Sequence, residues 1–150
     1  MRSLFVWVFG LGLLIAGCGP SGNRPMTKEE ESTVALDDVG ELYRVFTAQK
    51  KKAPTKLADF VPFEPMSPMG LQALQRGDVV VRFGATLPDT KEEPGVGPDD
   101  EVLAYEKDVP VSGGRALMLN RTIKTMTADE FKAVKLAGTS SSEPVKGRAK

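Results

Sequence analysis

The sequence predicts an α+β fold: one amphipathic helix packed on a small, mostly antiparallel sheet of about four strands, with two short helices. Three observations carry this. Apolar residues recur at helical spacing between Thr33 and Lys51. Beyond Gly77 the pattern changes to short β-branched and aromatic runs. Two of those runs flank Asn120-Arg121 closely enough to form a hairpin. A chain of 150 residues, 41% hydrophobic and 27% charged, has room for one such domain and not for two ordinary ones.

Ahead of that domain, residues 1–17 read as a secretory signal peptide. Arg2 supplies a positive start, the stretch from Leu4 to Ala16 is apolar, and it ends in small residues. The run is shorter than the roughly 20 apolar residues that span a bilayer. Gly10, Gly12 and Gly17 lack the preceding strand and following helix of a phosphate-binding loop. The end of the run, Ile15-Ala16-Gly17-Cys18, resembles the lipobox of bacterial lipoproteins. That resemblance implies that the Cys18 thiol takes a diacylglycerol group, that the chain is cut before Cys18, and that the new amino terminus is acylated in turn. Small residues give a peptidase access to an extended backbone, and a thiolate is a natural nucleophile for alkylation. One acyl chain holds a protein marginally and two or three hold it durably, so the partner implied at Cys18 is membrane lipid. Gly19 after the cysteine resembles lipoproteins passed to the outer membrane, which implies the periplasmic face of that membrane in a diderm bacterium. The alternative is an uncleaved anchor carrying an incidental cysteine.

Residues 18–32 are rich in Gly, Pro, Asn, Ser and charge, and they read as a flexible tether reaching about 20 Å. The domain proper is expected over 33–137. Its helix carries Leu36, Val39, Tyr43 and Phe46 on one face, widened by Ala35, Leu42 and Val45. Lys50-Lys51-Lys52 suits the negative end of the helix dipole or, alternatively, an anionic lipid, and Pro54 ends the helix. A turn over 55–65 returns Leu57 and Phe60 to the core. Ser67-Pro68 then reads as an N-cap with proline at the first helical position, and Gly77 as the stop of a short helix over 68–76. Met66 and Met69 read as gap fillers beside prolines.

The strand runs are Val79–Phe83, Glu101–Tyr105, Arg115–Leu119 and Thr122–Met126, with Asn120 the residue suited to positive φ in the hairpin turn. Thr127 and Glu130 form a capping box for a helix through about Leu136, which Phe131 and Val134 anchor. Gly138 is placed to end that helix, and the serine-rich segment 138–150 reads as disordered.

Composition narrows the chemistry. Twenty basic and twenty acidic residues cancel, which disfavours nucleic acid as a partner. With no histidine and one cysteine, His-dependent nucleophilic sites, the usual zinc sites and an internal disulfide are all excluded. Carboxylates gather only in the loop before the second strand, as Asp89, Glu92, Glu93, Asp99, Asp100 and Glu101. Calcium takes six to eight oxygens, so this loop could wrap one, although it lacks the alternation of an EF-hand. A carboxylate-pair enzyme is the other option, and nothing singles out two of the acidic residues.

Residues 102–134 and 41–60 resemble the C-terminal part and helix end of pilin-like and pseudopilin-like proteins of planctomycete-type bacteria, where a strand, a glycine loop, a hairpin and a closing helix recur. Asn120-Arg121 stands where those proteins often carry Asp-Gly. The hydrophobic polymerising helix of that family is replaced here by the lipobox and tether. The expectation is thus a non-enzymatic, lipid-anchored envelope protein without cofactor or metal, working through protein contacts or as a structural component. The alternatives are an accessory part of a type II secretion or pilus-like system, and a small calcium binder or carboxylate-dependent enzyme.

Overall fold

The computed structural model describes residues 24–138 and 140–141. The signal peptide and Cys18 lie outside the described residues, as do residue 139 and 142–150. The fold is α+β: a long helix and short helices packed on a mostly antiparallel sheet.

The long helix α1 runs Lys28–Lys50 and so starts five residues earlier than the apolar stripe suggests. Thr27 accepts from the Glu30 N–H, and the Glu30 carboxylate accepts from the Thr27 N–H, a reciprocal cap that starts the helix before its first buried residue. Residues 28–32 therefore belong to the domain and not to a tether. The predicted stripe is all buried, from Ala35 through Leu36, Val39, Leu42, Tyr43 and Val45 to Phe46. Lys51 ends the helix in the left-handed region, and its N–H donates to the Thr47 carbonyl.

Two short 3-10 segments, Leu57–Asp59 and Val61–Met66, carry Phe60 and Phe63 into the core. Phe60 lies 5.9 Å from both Tyr43 and Phe83, ring centre to ring centre, and so joins helix and sheet. Met66 is exposed and fills no gap. Helix α2 spans Pro68–Arg76 with Gly77 at its left-handed C-cap, as the sequence predicts. Its N-terminus is capped differently: the Ser67 hydroxyl makes no cap bond, and Asp38 of α1 accepts from the Gly70 N–H at 3.0 Å. A tertiary carboxylate thus replaces the local one and ties α2 to α1. Burial holds the Asp38 carboxyl above its usual range, against the opposing Gly70 and Met69 N–H groups.

Strands β1 (Val79–Phe83), β2 (Glu101–Glu106), β3 (Gly114–Met118) and β4 (Ile123–Met126) follow, with an unpredicted one-turn helix α3 (Val109–Ser112) between β2 and β3. Helix α4 covers Ala128–Ala133, on the predicted Thr127 capping box, but ends three residues short of Leu136. Val134 turns extended, and Lys135–Leu136 become β5, parallel to β2. Ser140–Ser141 form β6 against Arg82 and Phe83 of β1, so the fold continues past Ala137 and Gly138 is a turn between strands, not a helix stop. The sheet order is β4-β3-β2-β1-β6, with β5 beside β2.

Both faces of the sheet are covered. Leu103, Ala104, Leu117 and the β1 residues Val79, Val81 and Phe83 pack under α1 and α2, while Val102, Ala116 and Met118 pack with Val109 and Phe131 on the opposite face. Tyr105 stacks on Phe131 at 4.6 Å. The register break between Val102 and Ala104 lets β2 point Val102 and Tyr105 to one face although their spacing is odd.

Tyr43 has no exposed surface; its hydroxyl accepts from the Ala85 N–H at 2.9 Å and lies 3.1 Å and 3.2 Å from the Ala85 and Arg82 carbonyls. Burial pushes its pKa up from 10.0 to about 12. The unfolded chain loses this proton first, so stability is complete below pH 10 and falls as pH rises towards 12. The loss amounts to on the order of 2–3 kcal/mol. Urea titrations across this alkaline range, with tyrosinate absorbance followed in parallel, check the prediction. Tyr43→Phe should flatten that decline, and an unchanged slope would contradict it.

Candidate functional site

Of the residues singled out by sequence, Cys18 lies outside the described residues. The six acidic residues of the 87–101 segment are described, and they do not converge. Asp99 pairs with Lys124, whose ammonium lowers the Asp99 pKa by hydrogen bonding, and Glu101 pairs with Lys135. Asp89 lies 3.6 Å from the Arg121 guanidinium. Among the described residues no group of three or more His, Cys, Asp or Glu side chains is placed to hold a metal ion.

What organises the loop is Arg121, a residue the sequence reading placed only in a hairpin turn. The four residues Leu119 to Thr122 connect β3 and β4, and a Met118–Thr122 pair closes the turn: Arg121 N–H donates to the Met118 carbonyl at 2.9 Å, and Met118 N–H to the Thr122 carbonyl at 2.8 Å. The left-handed position falls on Arg121 (φ 67°) and not on Asn120. Asn120 instead uses its side chain to accept from the Thr122 N–H and hydroxyl, at 3.2 Å and 2.7 Å. The Arg121 side chain is 6% exposed. It donates to the main-chain carbonyls of Lys91 (2.6 Å), Glu93 (2.9 Å) and Glu92 (3.3 Å). Arg44 on α1 adds a bond to the Thr90 carbonyl at 3.2 Å, and the Asn120 carbonyl accepts from the Gly95 N–H at 2.8 Å. Two arginines thus strap a segment with few apolar anchors. The only signal for this in the sequence is an acidic loop in need of cations.

A cleft of about 420 Å³ lies at the opposite end of β3. It is formed by the first turn of α1, the end of α2, the start of β1, the end of β2 and the junction of α3 with β3. Glu106 stands in its wall, hydrogen-bonded to the Ser32 hydroxyl and accepting from the Arg115 N–H at 2.6 Å. The Arg115 guanidinium reaches Glu106 at 3.5 Å and Glu29 at 3.6 Å. Across the cleft, Arg76 donates to Asp78 at 2.8 Å and approaches Glu31 at 3.5 Å, while Lys107 lies 3.5 Å from Asp78. The Arg76 hydrogen bond, with Lys107 behind it, holds the Asp78 carboxyl below its usual range. The lining therefore presents cations and anions side by side. It suits a small ligand carrying both signs better than a simple anion or cation, which would leave one lining charge without its partner.

Comparison with known protein families, curated proteins and solved structures finds no match to this chain.

Proposed function

We propose that this is a lipid-anchored protein of the cell envelope with a non-enzymatic role in protein contact or envelope structure, held at the periplasmic face of an outer membrane. The observation that carries the reading is Ile15-Ala16-Gly17-Cys18 closing an apolar run. Supporting it, α1 begins at its own cap on Thr27, after the non-helical residues 24–27, so the long helix does not continue the apolar N-terminal run. A lipid on Cys18 would hold the domain on a leash of ten residues, roughly 33 Å when fully extended. The absence of histidine, and the pairing of Arg76, Lys107, Asp89 and Asp99 with neighbouring charges, favour a contact role over catalysis.

Cys18→Ala is expected to abolish labelling by radioactive palmitate and leave the precursor uncut at its larger size. Labelling that persists in the variant would overturn the anchor. A second reading, an accessory part of a type II secretion or pilus-like system, rests on the pilin-like pattern of 41–60 and 102–134. Affinity capture from native membranes that recovers secretion components would favour it.

A further inference from the structure

We infer that the charged cleft binds the zwitterionic head group of a membrane phospholipid, a phosphate together with a primary ammonium, and that this end of the domain faces the bilayer. The choice of membrane as the source of that ligand rests on the Cys18 anchor proposed above; the ligand chemistry rests on the cleft alone.

The cleft's volume, about 420 Å³, falls within the roughly 300–1,000 Å³ of small-molecule sites. Three ion pairs across it are long and wet: Arg76 to Glu31 and Lys107 to Asp78 at 3.5 Å, and Arg115 to Glu29 at 3.6 Å. Such pairs contribute little to stability, so they can exchange partners cheaply. A phosphate taken by Lys107 and the Arg76 Nη2 displaces Glu31 and the Lys107 contact of Asp78, which keeps its 2.8 Å hydrogen bond from Arg76 Nε, and an ammonium on the same ligand replaces the cation those carboxylates lose. A ligand with only one of the two charges leaves that exchange unbalanced, and this selects a zwitterion. Lys28 and Asp108 also line the cleft, and neither makes an ion pair among the described residues.

Two features orient this end. The chain enters the fold here, at Lys28, ten residues after Cys18. Val111, on the one-turn helix between the cleft residues Asp108 and Ser112, is 85% exposed, the highest of the exposed large apolar side chains described. Exposed and next in the chain to the cleft residue Ser112, it can enter the apolar edge of a head-group layer.

The test uses the full chain in detergent, whatever its state at Cys18, titrated with water-soluble glycerophosphoethanolamine and followed by amide shifts at Ser32, Lys107 and Arg115. Binding about tenfold tighter than to inorganic phosphate or to ethanolamine alone is expected, with loss of about tenfold in an Arg76→Gln, Lys107→Gln variant. Equal binding of phosphate alone, or no shifts, would overturn the site. This arm needs no membrane, so it stands apart from any failure of the anchor. In the second arm Val111→Trp and Val96→Trp are placed in phosphatidylethanolamine vesicles with brominated acyl chains. The only native tryptophan, Trp7, lies in the predicted signal peptide, so each introduced ring is the sole emitter of the mature chain. Val96 sits in the loop bound to the hairpin turn, at the far end of β3, and serves as control. Quenching at position 111 and not at 96 is expected. Equal emission at both would overturn the bilayer-facing orientation.

Discussion

Arg121→Ala is expected to lower the stability of the domain by about 2–4 kcal/mol, the range for removing a buried charge with several hydrogen bonds. The side chain is nearly buried and serves three carbonyls of the 87–101 segment at once, so its loss leaves Lys91, Glu92 and Glu93 without their donor and Asp89 without its cation. The variant should fall in urea midpoint, and the Gly95 amide, bonded to the Asn120 carbonyl, should lose protection from hydrogen exchange early. Two companions separate the causes. Arg121→Gly loses the same bonds but relieves the left-handed backbone, so it should be less damaging than alanine by about 1 kcal/mol. Arg121→Lys keeps the charge but offers a point donor in place of a planar fork, and should recover only part of the loss. Stability within about 0.5 kcal/mol of the parent for the alanine variant would show that the strap is dispensable.

Gly138→Ala is expected to cost about 3 kcal/mol or more. Gly138 sits at φ 66° between β5 and β6, and a methyl there would collide with the Phe83 carbonyl oxygen and meet the Ala85 nitrogen at 3.1 Å. Neither side can move freely: the Ala137 N–H is bonded to the Val102 carbonyl at 2.9 Å, and the Ala137 carbonyl accepts from Arg82 Nε at 3.0 Å. Gly77→Ala is the control. Its φ is 74°, yet a methyl there meets nothing within 4 Å, so it should cost only the roughly 1 kcal/mol of the left-handed backbone. Thermal midpoints of the two variants, measured side by side, give the difference due to collision. Equal midpoints would mean that the closing strands are not packed as described.

The candidate sites show the same division between local and distant causes as these two variants. The calcium reading of the acidic loop depended on where six carboxylates point, and composition carries no direction: Asp99 and Glu101 face lysines from β4 and β5, and Asp89 faces Arg121. The cleft was not legible either. Its charges come from positions as far apart as Lys28 and Arg115, and only the crossing of α1 over the sheet end brings them together. Cys18 is the reverse case, because its spacing from an apolar run is itself the signal.

Local sequence patterns suffice for the α+β class, the buried stripe from Ala35 to Phe46, helix α2 with its Gly77 stop, the four main strands and the capping box at Thr127. Each of these follows from residues within a few positions of one another, through periodicity, capping or turn chemistry. Tertiary structure alone decided that Asp38 caps α2, that Leu136 and Ser140–Ser141 are strands and not helix end and tail, and that Arg121 takes the left-handed turn position. In each case the deciding partner is remote in sequence: Gly70 for Asp38, Val102 for Leu136, Phe83 for Ser140, and the carbonyls of 91–93 for Arg121. Local propensities differ by at most about 1 kcal/mol, and a buried backbone or charged group left without its partner costs more than that.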